Sequence, residues 1–252
     1  MKLKAVALAA LFAAASPAAQ AAEIRVLMSG AFKAPMADIK PLFEKASGHT
    51  LVLDADTSGR IAVRIGKGEQ SDFIISTSAG VDDLIKTGKV LPDSKAAVAR
   101  AGVGVVVRKG APKPDISTPE KFKQALLDAK TVAYTNPASG GQSGVYFVKL
   151  LAQLGITDEI NKKAKFGDGG PVALIVAANN AEMGMQPLPE LLAHSDVVDF
   201  VGPLPAALQS YNHLTSAIPS NSKQPEAARA LMKFLASPAA QAVMKAKGLE
   251  PG

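Results

Sequence analysis

The sequence predicts an α/β protein built on a largely parallel sheet with helices on its flanks. Two observations carry this. Short β-like runs alternate with helix-like segments from residue 23 to the end. Val103–Arg108 is a nearly continuous β-branched run, as found in strands buried on both faces. No internal repeat or low-complexity linker interrupts the alternation. Any domain boundary must therefore fall at strand crossings and not in a flexible tether.

The elements follow in order. Ile24–Met28 is a short apolar run ending in Ser29-Gly30. A helical pattern places Phe32, Met36, Ile39, Phe43 and Ala46 on one face and closes at Gly48. Thr50–Asp54 reads as a second strand, and Thr57-Ser58-Gly59 opens a second helix carrying Ile61 and Ile65. Phe73–Ser76 is a third strand, followed by a helix over Asp82–Thr87 that stops at Gly88. After the Val103–Arg108 strand and a turn at 109–114, Ser117-Thr118-Pro119-Glu120 starts a helix, with Pro in its first turn. Thr131–Tyr134 is a strand running into a small-residue loop, Asn136–Gly144, and then a helix over Tyr146–Leu154 that ends at Gly155. A Gly-Asp-Gly-Gly-Pro loop (167–171) precedes a helix from Val172, and Met183–Met185 is apolar strand. Beyond Pro225, Ala228, Leu231, Met232, Phe234 and Leu235 form one helical face. Ser237-Pro238 starts a last helix with Ala242 and Val243 inside.

The N-terminus sets the compartment. Lys2 and Lys4 precede an apolar run from Ala5 to Ala15, and Ala19-Gln20-Ala21 is a small-x-small cleavage site. That order is a secretory signal peptide over residues 1–21, with Ala22 as the first mature residue and the periplasm as destination. The apolar run is shorter than the ~20 residues of a membrane span. There is no cysteine, which excludes thiol chemistry, Cys-based metal sites and a lipid-modified N-terminal Cys. Of 28 basic residues, losing Lys2 and Lys4 leaves 26 against 22 acidic, a net +4 spread along the chain. Aromatics are few and form no basic-aromatic stripe, so nucleic acid is not an expected partner.

A recurring feature points to chemistry. Ser or Gly stands where a strand hands over to a helix, and such a junction presents free backbone N–H groups and the positive end of the helix dipole to an anion. Four junctions qualify: Ser29-Gly30-Ala31, Ser58-Gly59-Arg60, Ser139-Gly140-Gly141-Gln142-Ser143, and Gly170-Pro171-Val172. Plain N-capping accounts for any one of them, since Ser and Gly favour that position anyway. Four together argue for converging donors. Micromolar binding is about −8 kcal/mol, whereas one helix terminus contributes roughly 0.3–1.

The tail from Ala227 to Leu249, the Ser29-Gly30 and Thr57-Ser58-Gly59 junctions, and Ser71-Asp72-Phe73-Ile74-Ile75-Ser76 resemble type II periplasmic solute-binding proteins of ABC importers, in their molybdate-binding branch. The resemblance spans the mature chain. It implies two α/β lobes joined by two crossing strands, with lobe 1 formed by residues 22–101 plus 203–252 and lobe 2 by 102–202. Val103–Arg108 would be one crossing and Val198–Gly202 the return. It also implies a small anionic ligand in the cleft and a membrane permease as partner; beside it stand the expectations of a monomer without membrane anchor, no cofactor and no catalytic activity.

Two positions depart from the molybdate pattern. Arg60 stands where a small neutral residue is usual, and its planar fork suits a carboxylate. Gln186 or Pro187, in Met185-Gln186-Pro187, replaces the tyrosine expected late in the site. Both favour an organic di- or tricarboxylate over a tetrahedral oxyanion; for Arg60 the alternative is a surface side chain on the first helical turn. Other chemistry finds little support. Gly141-Gln142-Ser143-Gly144 falls short of a nucleophile elbow because Val145 stands where Gly is needed. His49, His194 and His213 are isolated from further ligands at metal-like spacing. A secreted enzyme or an interaction module on the same fold remains as the rival from another class.

Overall fold

The computed structural model describes residues 21–252, so the expected signal peptide lies outside the described residues except for Ala21. The first third of the chain alternates strand and helix: β1 (Glu23–Ser29), α1 (Gly30–Ser47), β2 (Thr50–Asp56), α2 (Ser58–Gly66), β3 (Phe73–Thr77) and α3 (Ser78–Lys86). The long β4 (Ala96–Arg108) follows. The middle comprises α4 (Pro119–Asp128), β5 (Val132–Thr135), α5 (Gln142–Leu154), α6 (Thr157–Asn161), β6 (Ala164–Gly167), α7 (Val172–Ala177), β7 (Met183–Pro187), α8 (Leu188–Leu192) and β8 (Val198–Pro203). The chain closes with β9 (Tyr211–Ala217), α9 (Pro225–Leu235), α10 (Pro238–Ala246) and β10 (Glu250–Pro251).

The strands run in the order β2-β1-β3-β9-β4-β7-β5-β6, with β8 and β10 also pairing with β4. β2, β1 and β3 are parallel, as are β7, β5 and β6; β9 and β4 run antiparallel to their neighbours. β4 belongs to both lobes. Its residues Ala96–Gly102 pair with β9, and Val103–Val107 pair with β7. β8, expected as the return crossing, pairs with Gly104–Arg108 of β4, and the chain then reaches β9 through residues 204–210. At the handover Gln209 stands in for a strand partner. Its side-chain oxygen accepts from the Val103 N–H at 2.8 Å and its amide donates to the Val103 carbonyl at 3.0 Å.

Each sheet is covered on both faces. Phe32, Met36, Ile39 and Phe43 of α1 pack with Leu231, Leu235 and Met244 on one side of the first sheet, while Ile61, Ile65 and Val81 cover the other. Phe122, Tyr134, Phe147 and Leu150 fill one side of the second, and Val172, Val176 and Leu191 the other. Burying such side chains contributes about 1.5–3 kcal/mol each. Three details correct the expected helix faces. Ala46 and Ala242 are exposed, Val243 is half-buried, and Ala240 with Met244 faces the core in α10. α5 starts at Gln142, so the loop before it is shorter than the expected 136–144.

Candidate functional site

The sheets place the starts of α1, α2 and α5 around one cavity of about 560 Å³ between the lobes. Ser29 ends β1 and is 8% exposed; its side chain makes no capping bond to α1, so the hydroxyl is left to the cavity. The cap of α2 is Thr57, whose oxygen accepts from the Arg60 N–H. Ser58, one residue on, is buried, lines the cavity and is spared the capping role. From the other lobe come Gly141, Gln142 and Ser143 at the start of α5, whose N-cap Gly141 offers no side chain to the free N–H groups. Pro171 and Gln186 complete the expected residues that line the cavity, with Gly30 beside Ser29.

The remaining expected residues lie elsewhere. Ala31 is packed in the core. Gly59 and Gly140 form a backbone contact between the lobes. The Gly59 N–H donates to the Gly140 carbonyl at 3.2 Å, and a Cβ on Gly59 would stand 2.7 Å from the Gly140 Cα. Ser139 lends its carbonyl to the Thr57 hydroxyl and its own hydroxyl to the Asn136 carbonyl. Gly170 and Val172 are held by Gln186, which accepts from the Val172 N–H at 2.8 Å and donates to the Gly170 carbonyl. That removes the N–H expected to be free at the start of α7.

Arg60 turns its fork toward the facing lobe. It does not line the cavity; its guanidinium donates to the Asp168 carboxylate of the facing lobe at 2.9 Å and stands 3.7 Å from Asp56. The physical reason is a carboxylate on the opposite rim, which satisfies the guanidinium outside the cavity. The pair straddles the lobes and is well exposed, so it contributes at most about 1 kcal/mol to closure.

Sequence reading missed several lining residues: Lys33, Thr135, His194, Asn212 and Glu190. Lys33 sits on α1 one turn beyond the Ser29 junction and brings a cation. Glu190 is the least expected. It comes from α8, lies against the Cα face of Gly30, and accepts from the Gln186 amide at 2.6 Å. Desolvation pushes its pKa up from the ordinary 4.5 to about 8, against the lowering pull of the Gln186 hydrogen bond. Among the described residues, no group of three or more His, Cys, Asp or Glu could hold a metal ion, and no helix is long and apolar enough to cross a membrane.

A raised carboxyl pKa has a definite sign in stability. The neutral form is favoured on folding, so its contribution is complete below about pH 4.5 and is lost as pH rises through about 8. Each unit of difference is worth about 1.4 kcal/mol, reduced here because the carboxyl opens onto the cavity. Denaturant unfolding of ligand-free protein should therefore show stability falling between about pH 5 and 8.5, and Glu190→Gln should flatten that slope. An unchanged slope in the variant would place the titration on another group.

Against known proteins, the family model described as "Bacterial extracellular solute-binding protein" matches residues 24–250. The aconitate isomerase of a Pseudomonas species is 36% identical over 259 residues, covering 99% of this chain and 97% of that protein. The molybdate-binding protein ModA of Azotobacter vinelandii is 30% identical over 236 residues, covering 92% and 91%. The solved structure of the Azotobacter vinelandii periplasmic molybdate-binding protein superposes with a TM-score of 0.77 at 20% identity, covering 91% of this chain and 99% of that one. The isomerase name conflicts with a simple expectation of no catalytic activity.

Proposed function

The chain belongs to the bacterial extracellular solute-binding protein family, and on that premise we propose that it captures a small organic di- or tricarboxylate. Capture takes place in the periplasm, after loss of residues 1–21, and the ligand passes to the membrane permease of an ABC importer. The protein acts as a monomer whose lobes, 22–101 plus 203–252 and 102–202, close on the ligand. The observation that carries this reading is the cavity itself. Its volume of about 560 Å³ falls in the range of small-molecule sites. Its polar lining includes Ser29, Ser58 and Lys33 from one lobe and the start of α5 from the other, while Ala34, Ala37, Leu174 and Pro187 supply apolar wall. A compact tetrahedral oxyanion needs a tight shell of donors and no apolar wall; a carbon skeleton needs both. The 36% identity with an aconitate isomerase supports the same class.

A molybdate-type oxyanion is the second reading, favoured by the neutral hydroxyls at the junctions and by 30% identity with a molybdate-binding protein. A thermal-shift panel separates the two: molybdate, tungstate, sulfate and phosphate against di- and tricarboxylates, including both aconitate isomers. A ligand at a hundredfold excess over Kd stabilises by about 2.7 kcal/mol. A shift with oxyanions alone would overturn the carboxylate reading. In calorimetry, Ser29→Ala and Ser58→Ala should each weaken the stabilising ligand about tenfold or more, since each removes a hydrogen bond to a charged group worth roughly 1.5–3 kcal/mol. Unaltered affinity in both variants would leave the two hydroxyls without a binding role.

A further inference from the structure

Building on the polycarboxylate reading of the cavity, we infer that Glu190 is an acid–base group that moves a proton between two carbons of an unsaturated polycarboxylate bound there. The cleft then isomerises such a ligand as well as holding it. Glu190 lies in the first turn of α8, directly after β7, outside the four junctions expected from the sequence. It enters from α8, and its carboxyl is fixed on two sides. Gln186, itself held by the Val172 N–H and the Gly170 carbonyl, donates to Oε2. On the other side Gly30 leaves room; a Cβ there would stand 3.1 Å from Oε2. An ionised carboxyl is a poor wall for an anion, because like charges repel and the buried charge is costly. Capture draws on the neutral form alone, which can donate one hydrogen bond to a ligand carboxylate. Proton transfer uses both forms, and a pKa raised to about 8 leaves both accessible near neutral pH.

The chemistry balances within the ligand and one carboxyl. A CH₂ group between a C=C bond and a carboxylate carries an acidified C–H. Glu190 as carboxylate takes that proton: the C–H bond breaks, an O–H bond forms, and the electron pair spreads over the three-carbon unit and its attached carboxylates. Returning the proton to the far carbon forms a new C–H bond and moves the double bond one position. Nothing is oxidised or reduced. The negative charge that builds on the ligand is met by the donors at the start of α5, by Ser29 and Ser58, and by Lys33. Lys33 on α1, Asp56 at the end of β2 and His194 beyond α8 are the other titratable side chains lining the cavity. The rate should climb with pH as Glu190 ionises.

The test uses trans- and cis-aconitate as probes, in deuterated buffer followed by proton NMR, with calorimetric binding measured in parallel. Wild type should exchange ligand CH₂ protons for deuterium and interconvert the isomers. Glu190→Gln should slow both at least about a hundredfold while binding either isomer with affinity close to wild type. Glu190→Asp, which keeps the acid but draws it back by one methylene, should retain measurable exchange. Wild type that binds a tricarboxylate but never exchanges it overturns the inference and leaves capture standing. Wild type that binds no polycarboxylate overturns capture. Equal exchange in wild type and Glu190→Gln, or lost binding in a Glu190→Gln protein of native thermal midpoint, overturns the role of Glu190. Should Glu190→Gln fail to fold, an Asp variant as fast as wild type does the same.

Discussion

Gly59→Ala should weaken ligand binding by a hundredfold or more while leaving the ligand-free protein as stable as wild type. Gly59 is the second residue of α2, where alanine suits the helix better than glycine by about 1 kcal/mol. The three atoms nearest the added Cβ all belong to Gly140 of the facing lobe. The Cβ would stand 2.7 Å from the Cα of Gly140, 3.2 Å from its carbonyl oxygen and 3.3 Å from its carbonyl carbon. Those are backbone atoms and cannot rotate away. The lobes must part, and the donors at Ser29 and Ser58 then separate from those at Gly141, Gln142 and Ser143. If each lobe supplies about half of a micromolar binding energy of −8 kcal/mol, losing convergence costs about 4 kcal/mol, roughly a thousandfold. Calorimetry with the stabilising ligand, together with thermal unfolding of the ligand-free protein, measures both halves of the expectation. Wild-type affinity would mean that closure at Gly59 does not limit binding.

Gly144→Ala should act on stability as well as binding. Gly144 is the third residue of α5 and seats that helix on the end of β5. A Cβ there would collide with the carbonyl oxygen of Thr135, and would lie 2.9 Å from its carbon and 3.3 Å from the nitrogen of Pro137. Relief requires α5 to move bodily, which strips its Phe147 and Leu150 from Tyr134 in the core and draws Gly141–Ser143 back from the cavity. Overpacking of this kind costs about 1–3 kcal/mol, and this clash with immovable backbone belongs at the upper end. At roughly 2–4 °C per kcal/mol for a chain of this size, the thermal midpoint should fall by about 5–10 °C, and the ligand should no longer raise it. A midpoint within about 2 °C of wild type, with ligand stabilisation intact, would show that β5 yields where α5 was expected to.

The strand-to-helix junctions were legible because a single local pattern sets both the fold and the donors. An apolar run, a Ser or Gly and a helical face fix where backbone N–H groups point, and Ser29, Ser58 and Gly141–Ser143 line the cavity as that pattern implies. Glu190 was hidden for the opposite reason. Leu188-Pro189-Glu190-Leu191-Leu192 reads as a short helix with one solvated acid, and only its packing against Gly30 of the other lobe takes that acid out of water. The Arg60 pairing was not legible, since Asp168 lies more than a hundred residues away along the chain. β9 escaped notice because Tyr211-Asn212-His213 begins it with polar, partly exposed residues and its buried half, Leu214–Ala217, is too short to stand out. β6, four residues long, escaped for the same want of length.

The position of β9 also governs the order in which the chain can assemble. It lies between β3 and β4, yet it follows both in sequence by more than a hundred residues. As the chain emerges from its N-terminus, the β4–β8 segment can pair with itself while β3 and the first half of β4 keep open hydrogen-bonding edges. Residues 211–217 must then insert between two strands already made. Pairing of that sequence separation is slow, because loop closure precedes any gain from contact. Until it is complete, two unpaired edges are open to another copy of the chain. The folding chain is thus most vulnerable to aggregation before residues 211–217 dock, and a chaperone that shields those edges would speed its recovery without touching the ligand site.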